Sequence, residues 1–155
     1  MNDRASWHCR WRLDKYRPHE ADPHEVVEGS GNLLTTAGAN LLWNALTSGS
    51  VTLLTNANAH LGVGDSTLPA SAAQTDLQAV SSKFRRRVDS AYPVVAGNQV
   101  TFRATFGGSE ANFAWNEWGL FNAFAGGTML NRKVQALGTK TSGSTWVFTV
   151  TITLS

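Results

Sequence analysis

A mainly β domain, a β-sandwich or jelly-roll-like fold with one short helix over about residues 35–47, is what the sequence predicts. Three observations carry that prediction. Only 15% of the residues are charged, while 14 glycines and many Ser, Thr and Asn fill the polar positions, a composition suited to short strands and turns rather than solvated helices. Near the C-terminus Trp146, Phe148, Val150, Ile152 and Leu154 alternate with Val147, Thr149, Thr151 and Thr153, the period of two expected of a half-buried strand. Gly-, Pro- and Asn-bearing turn signals also separate short apolar runs along most of the chain. With 155 residues, 42% of them apolar and 10% aromatic, the chain has material for one core.

The elements follow in order. Trp7, Cys9, Trp11 and Leu13 alternate with His8, Arg10, Arg12 and Asp14, which predicts a charged-faced strand over residues 6–17. Pro18 and Pro23 make the next stretch a turn or exposed loop, and a short strand follows at Glu25 to Glu28. Asn32 to Leu46 contains the helix: Thr35 or Thr36 caps it, Ala37, Leu41, Leu42, Ala45 and Leu46 give it an apolar face, and Ser48-Gly49 stops it. His60 to Asp65 reads as a brief strand, and Gln74 to Val80 as a second helical turn. Phe84 to Tyr92 and Gln99 to Phe106 flank Ala96-Gly97-Asn98, which predicts a hairpin. Phe113 to Asn122, Met129 to Val134 and the alternating terminal strand complete the set.

Charge divides the chain near residue 30. Residues 1–30 hold 5 of the 13 basic and 6 of the 11 acidic side chains, and all but one of the four histidines. The sequence therefore predicts a charged N-terminal strand or arm over 1–30 and a β-sandwich domain over 31–155, within one globular unit. A net charge of +2 is too small for an electrostatic nucleic-acid footprint. No apolar run approaches a membrane span, and the first residues lack the apolar core of a signal peptide. The expectation is a chain made in the cytoplasm, with neither nucleic acid nor membrane as partner.

Chemistry-bearing motifs are sparse. Cys9 is the sole cysteine, which excludes an internal disulfide and a cysteine-based zinc site. His8, His19, His24 and His60 stand in no metal-ligand spacing, so no metal and no cofactor are expected. Gly62-Val63-Gly64-Asp65-Ser66 lacks the lysine of a phosphate loop and is read as a turn. No nucleophile elbow occurs, and adjacent His8 and Cys9 point to opposite faces of a strand. Glu110, Glu117, Asp65 and His60 are the only raw material for acid–base catalysis, so the chain is expected not to be an enzyme. Arg85-Arg86-Arg87 is the densest charge in the body: on a strand Arg85 and Arg87 share one face, Arg86 takes the other, and at least one is held by a carboxylate. Phe113, Trp115, Trp118, Phe121 and Phe124 offer either core packing or stacking platforms for sugar rings. The interface candidates are Trp7, Trp11, Arg85, Arg86, Arg87, Trp115 and Trp118.

Several stretches, taken in order, resemble domains of tailed-bacteriophage virion proteins of the tail-collar and tail-fibre type. They are Thr35-Thr36-Ala37-Gly38-Ala39-Asn40-Leu41-Leu42 heading the helix, Leu61-Gly62-Val63-Gly64-Asp65, and Gln74-Thr75-Asp76-Leu77-Gln78-Ala79 ahead of the arginine cluster. Asn116-Glu117-Trp118-Gly119-Leu120-Phe121-Asn122-Ala123, Gly126-Gly127-Thr128-Met129-Leu130 and the terminal strand follow. The resemblance covers about residues 31–155. It implies a non-enzymatic virion part that forms a homo-oligomer and docks on other virion proteins, and it brings no catalytic residue. Because nothing follows the last strand, a fibre shaft is not expected. A capsid decoration or cement protein and a lectin-like module for a host surface glycan are the alternative readings.

Overall fold

A computed structural model describes residues 5–155. They form a two-layer β-sandwich of ten strands and one helix. Strands β1 (Trp7–Tyr16), β2 (Glu25–Ser30), β6 (Val94–Ala96), β7 (Gln99–Phe106) and β10 (Thr145–Leu154) make sheet A, in the order β2-β1-β10-β7-β6. Sheet B runs β3-β9-β8-β4-β5, from β3 (Leu33–Leu34), β4 (His60–Gly64), β5 (Lys83–Arg87), β8 (Ala114–Phe121) and β9 (Met129–Thr139). Every strand pair is antiparallel.

The period of two in β1 and β10 is used as the sequence predicts. Cys9, Trp11 and Leu13 face inward beside Ile152, Val150 and Phe148, their direct cross-strand partners. Phe102, Ala104 and Phe106 of β7 continue the same layer. From sheet B, Trp115 and Trp118 meet it edge-on: Trp115 lies 4.7 Å from Phe106 and 4.8 Å from Trp146, and Trp118 lies 5.4 Å from Phe148. Such tilted pairs set the quadrupole of one ring against the edge of the next and add to the burial of large apolar area. The centre of the sandwich is thus aromatic.

Helix α1 (Thr36–Thr47) packs against β9 of sheet B. Thr35 is its N-cap, its hydroxyl accepting the Gly38 N–H at 2.8 Å while donating to the Met129 carbonyl. Gly38 is required there because a Cβ would run into the Leu130 carbonyl. A second close approach is built from the cross-strand pair Gly62 and Gly119. A Cβ on Gly62 would meet Phe121 at 2.7 Å and Leu77 at 3.2 Å, so the bare backbone is what lets an aromatic ring and a loop lie flat on the sheet.

Four expectations are corrected. Residues 74–80 are irregular, with bends at Asp76 and Val80 and no helix, because the segment is fastened by side chains from sheet B rather than by its own ladder. Phe84 to Tyr92 does not pair with Gln99 to Phe106: β5 ends at Arg87 and joins β4 in the opposite sheet, and the hairpin is the shorter β6–β7 turn at Gly97-Asn98. The returning strand β9 runs on to Thr139. Residues 7–30 are not set apart as an arm, since β1 lies between β2 and β10 and supplies core residues.

Candidate functional site

The arginine strand β5 is the edge of sheet B, and its three guanidiniums have different surroundings. Arg85, on the outer face, lies over the Phe121 ring at 3.5 Å and donates to Asp76 at 2.9 Å and to the carbonyls of Ala123 and Gly126. Burial pushes the Asp76 carboxyl up, but hydrogen bonds from Lys83 and Arg85 outweigh it and hold the group below its ordinary value. Arg86 points to the other face, bonding Glu110 at 2.8 Å and the Thr105 carbonyl at 3.1 Å. Arg87 is exposed and takes part in no hydrogen bond or ion pair with the described residues. The predicted split of faces and the predicted carboxylate partners are both present.

Beyond β5 the chain crosses to sheet A and closes a corner. Asp89 accepts the Thr105 N–H at 3.0 Å, its own N–H donates to the Arg103 carbonyl at 2.7 Å, and its carboxylate also holds Arg103 and the Thr105 hydroxyl. With Arg86 on the Thr105 carbonyl, the Arg103 carbonyl and both backbone groups of Thr105, beyond the pairing of β7 with β6, are occupied. That blunts an edge which would otherwise be open to strand addition.

A buried ion pair, invisible as such in the sequence, organises the outer face of sheet B. Glu117 on β8 and Arg132 on β9 are fully buried and 2.6 Å apart. Glu117 also accepts the backbone N–H groups of Gln78 and Ala79, and Arg132 donates to the Gln74 side chain and the Leu68 carbonyl. Together they tie down residues 68–79. The partners satisfy a charge pair that would be costly if left bare. Lys15 and Lys140 are two further buried cations. Lys15 bonds Glu25 and lies over Trp146, while Lys140 donates to the Gly107 carbonyl and Asn112. Burial lowers the Lys140 pKa, with Glu110 acting in the opposite sense. The inward position of Lys15 on the alternating strand β1 hinted at its burial, whereas Lys140 lies one residue past β9 and charge alone pointed to the surface.

None of the catalytic raw material is assembled. Glu110 is spent on Arg86 and the Gly107 N–H, and Glu117 on Arg132. Among the described residues no three His, Cys, Asp or Glu side chains converge as a metal site. Burial pushes the Cys9 thiol up to about 12, so it is a core atom rather than a nucleophile. His60 lies on the interior strand β4, where its Nδ1–H donates to the Asn58 carbonyl at 2.8 Å. Desolvation lowers its pKa, and Arg85 and Arg87 lower it further against the opposing effect of that bond.

The aromatic interface candidates are corrected. Trp115 and Trp118 are fully buried and Trp11 nearly so, because each sits at an inward position of its strand, and none is available to a partner or a sugar. Trp7 is half-buried and donates to Asn32. Of the five rings from 113 to 124, Phe124 alone is strongly exposed, at 66%. Large apolar groups left outside elsewhere include Trp43 and Leu46 on α1, Val94 and Val95 on β6, and Leu53, Leu68 and Val80 in loops. No helix among the described residues is long and apolar enough to cross a membrane. No protein-family model matches the chain, and it has no significant match among curated proteins.

Proposed function

We propose that this chain is a non-enzymatic structural component of a bacteriophage virion, in the tail, collar or fibre region, which self-associates and docks on neighbouring virion proteins. The observation that carries the reading is the apolar surface left on a domain whose interior is already full. Trp43 and Leu46 are 66% and 77% exposed and lie three residues apart on α1, on one face of a helix without a charged residue. Exposed apolar groups clustered in this way mark contact surfaces. The ordered motifs that resemble tail-collar and tail-fibre domains supply the virion context, and the commitment of Glu110 and Glu117 to structural bonds fits a role without catalysis. Stable contacts of this kind bury upwards of about 1,000 Å².

The test is the copy number and position of the chain in purified particles, by gel densitometry against the major capsid protein followed by imaging. Low copy number in multiples of three or six is the expected result. Hundreds of copies would move the chain to the capsid as a decoration protein, and absence from particles would overturn the virion reading altogether.

A further inference from the structure

The corner where β5 approaches β7 holds an open cleft whose chemistry neither the core nor the exposed α1 surface explains. Four arginines line it, with Asp89, His60 and Ser90 and the apolar Phe84, Val88 and Phe124. Three of those guanidiniums are already matched: Arg85 with Asp76, Arg86 with Glu110 and Arg103 with Asp89. Among the described residues, Arg87 is the one without a carboxylate. Because Asp76 is shared between Arg85 and Lys83, the cleft offers one unpaired guanidinium and a partial excess at Arg85, enough for a single carboxylate and too little for a polyphosphate or a nucleic-acid backbone.

Two other features narrow the ligand. His60 gives its Nδ1–H to the Asn58 carbonyl, which cannot itself donate. In the neutral ring that bond leaves the lone pair on Nε2, in a cleft otherwise rich in N–H donors. An acceptor in that setting suits a ligand that also brings hydroxyl groups. Phe124, 5.8 Å from the His60 ring and largely exposed, supplies one apolar wall in a cleft whose surface is otherwise mainly polar. A peptide with a large apolar side chain would find little to bury here. A ring with one apolar face, hydroxyls at its rim and one acid group fits all three features.

We propose that the β5–β7 corner cleft binds an acidic saccharide unit, with Arg87 holding the carboxylate, Phe124 stacked against the sugar ring and His60 Nε2 accepting a hydroxyl. The site belongs to the single chain and stands or falls apart from the virion reading. The glycan-contact role considered for the 113–124 aromatics thus falls to the only one of them that is strongly exposed.

The experiment is isothermal titration of the full chain at low salt with D-glucuronate, with D-glucose and inorganic sulfate as comparison probes. Glucuronate is expected to bind saturably and glucose not to bind at the same concentrations. Arg87→Ala should weaken glucuronate binding by about tenfold or more, the equivalent of one charge-assisted hydrogen bond. Phe124→Ala should weaken it by roughly threefold while leaving any sulfate binding unchanged. Both side chains are exposed, and thermal unfolding of each variant checks that the fold is intact. Absence of glucuronate binding, or binding unchanged in Arg87→Ala, overturns the site. Sulfate binding as tight as glucuronate, with no effect of Phe124→Ala on either, overturns the saccharide assignment in favour of a bare anion patch.

Discussion

The two sheets share a core but differ on their outer faces. Sheet A presents Thr101, Thr149 and Thr151 and the charged side chains of β1, with none of the described residues packed over them; the Thr101 and Thr151 hydroxyls bond each other at 3.0 Å. Sheet B is covered, by α1 over β9 and by residues 68–79 over β4 and β8. One sheet is half-buried and the other is buried on both sides, which dictates opposite sequence patterns. The alternation of β10 survives because Thr meets water on one face. In β4 all five residues are buried, so alternation is lost and two glycines appear where the covering groups come closest.

The cover on sheet B is held by charge, and breaking that charge is the largest effect expected. Arg132→Met leaves Glu117 buried with two backbone donors and no cation. Removing one partner of a buried pair costs about 3–5 kcal/mol, measured as the loss of unfolding free energy in denaturant. Residues 68–79 should become sensitive to limited proteolysis in the same variant. A cost under about 1 kcal/mol would mean that the loop is held by packing alone and that the two faces differ less than the geometry implies.

The helix half of the cover is tested at Gly38. In an exposed helix Gly→Ala stabilises by about 1 kcal/mol. Here the new Cβ meets the Leu130 carbonyl, and overpacking of this kind costs about 1–3 kcal/mol. Gly38→Ala is therefore expected to lower the unfolding free energy, whereas a gain would show that α1 rides loosely on β9.

What the sequence revealed follows from this same contrast. Strands β1, β7 and β10, the N-cap Thr35 and the split faces of Arg85, Arg86 and Arg87 were legible because each obeys a local period or a local bond. The pairing of β5 with β4, the Glu117–Arg132 pair and the buried Lys15 and Lys140 were not. They depend on partners far along the chain, and Glu117 lies 15 residues from Arg132 and 38 from Ala79. Trp11, Trp115 and Trp118 stand among the interface candidates because large aromatics suit cores and interfaces equally well, and only the register of their strands decides between the two.

A smaller effect comes from His60, at the covered sheet's border. Its pKa is lowered in the fold from 6.5, so the unfolded chain takes up a proton first as pH drops. The stability linked to neutral His60 is present above about 6.5 and is lost as pH falls towards the folded value. Unfolding followed against pH should show this decline, and His60→Gln should flatten it relative to the parent chain. An identical pH profile in the two proteins would mean that the site is too wet to disfavour the charge.

The smallest effect belongs to the bare face. Thr151→Val removes the hydroxyl that meets Thr101, yet Thr101 can turn its own hydroxyl to solvent, so no buried group is left without a partner. Valine also keeps the β-branched shape that a strand favours. The expected change is within about 0.5 kcal/mol of zero, read from the same denaturant curves as Arg132→Met. A loss several times larger in the isolated chain would mean that the threonine rows of sheet A act as a bonded network and not as a solvated face. The contrast between the two sheets would then be one of chemistry, hydroxyl ladders against an ion pair, and no longer one of cover against exposure.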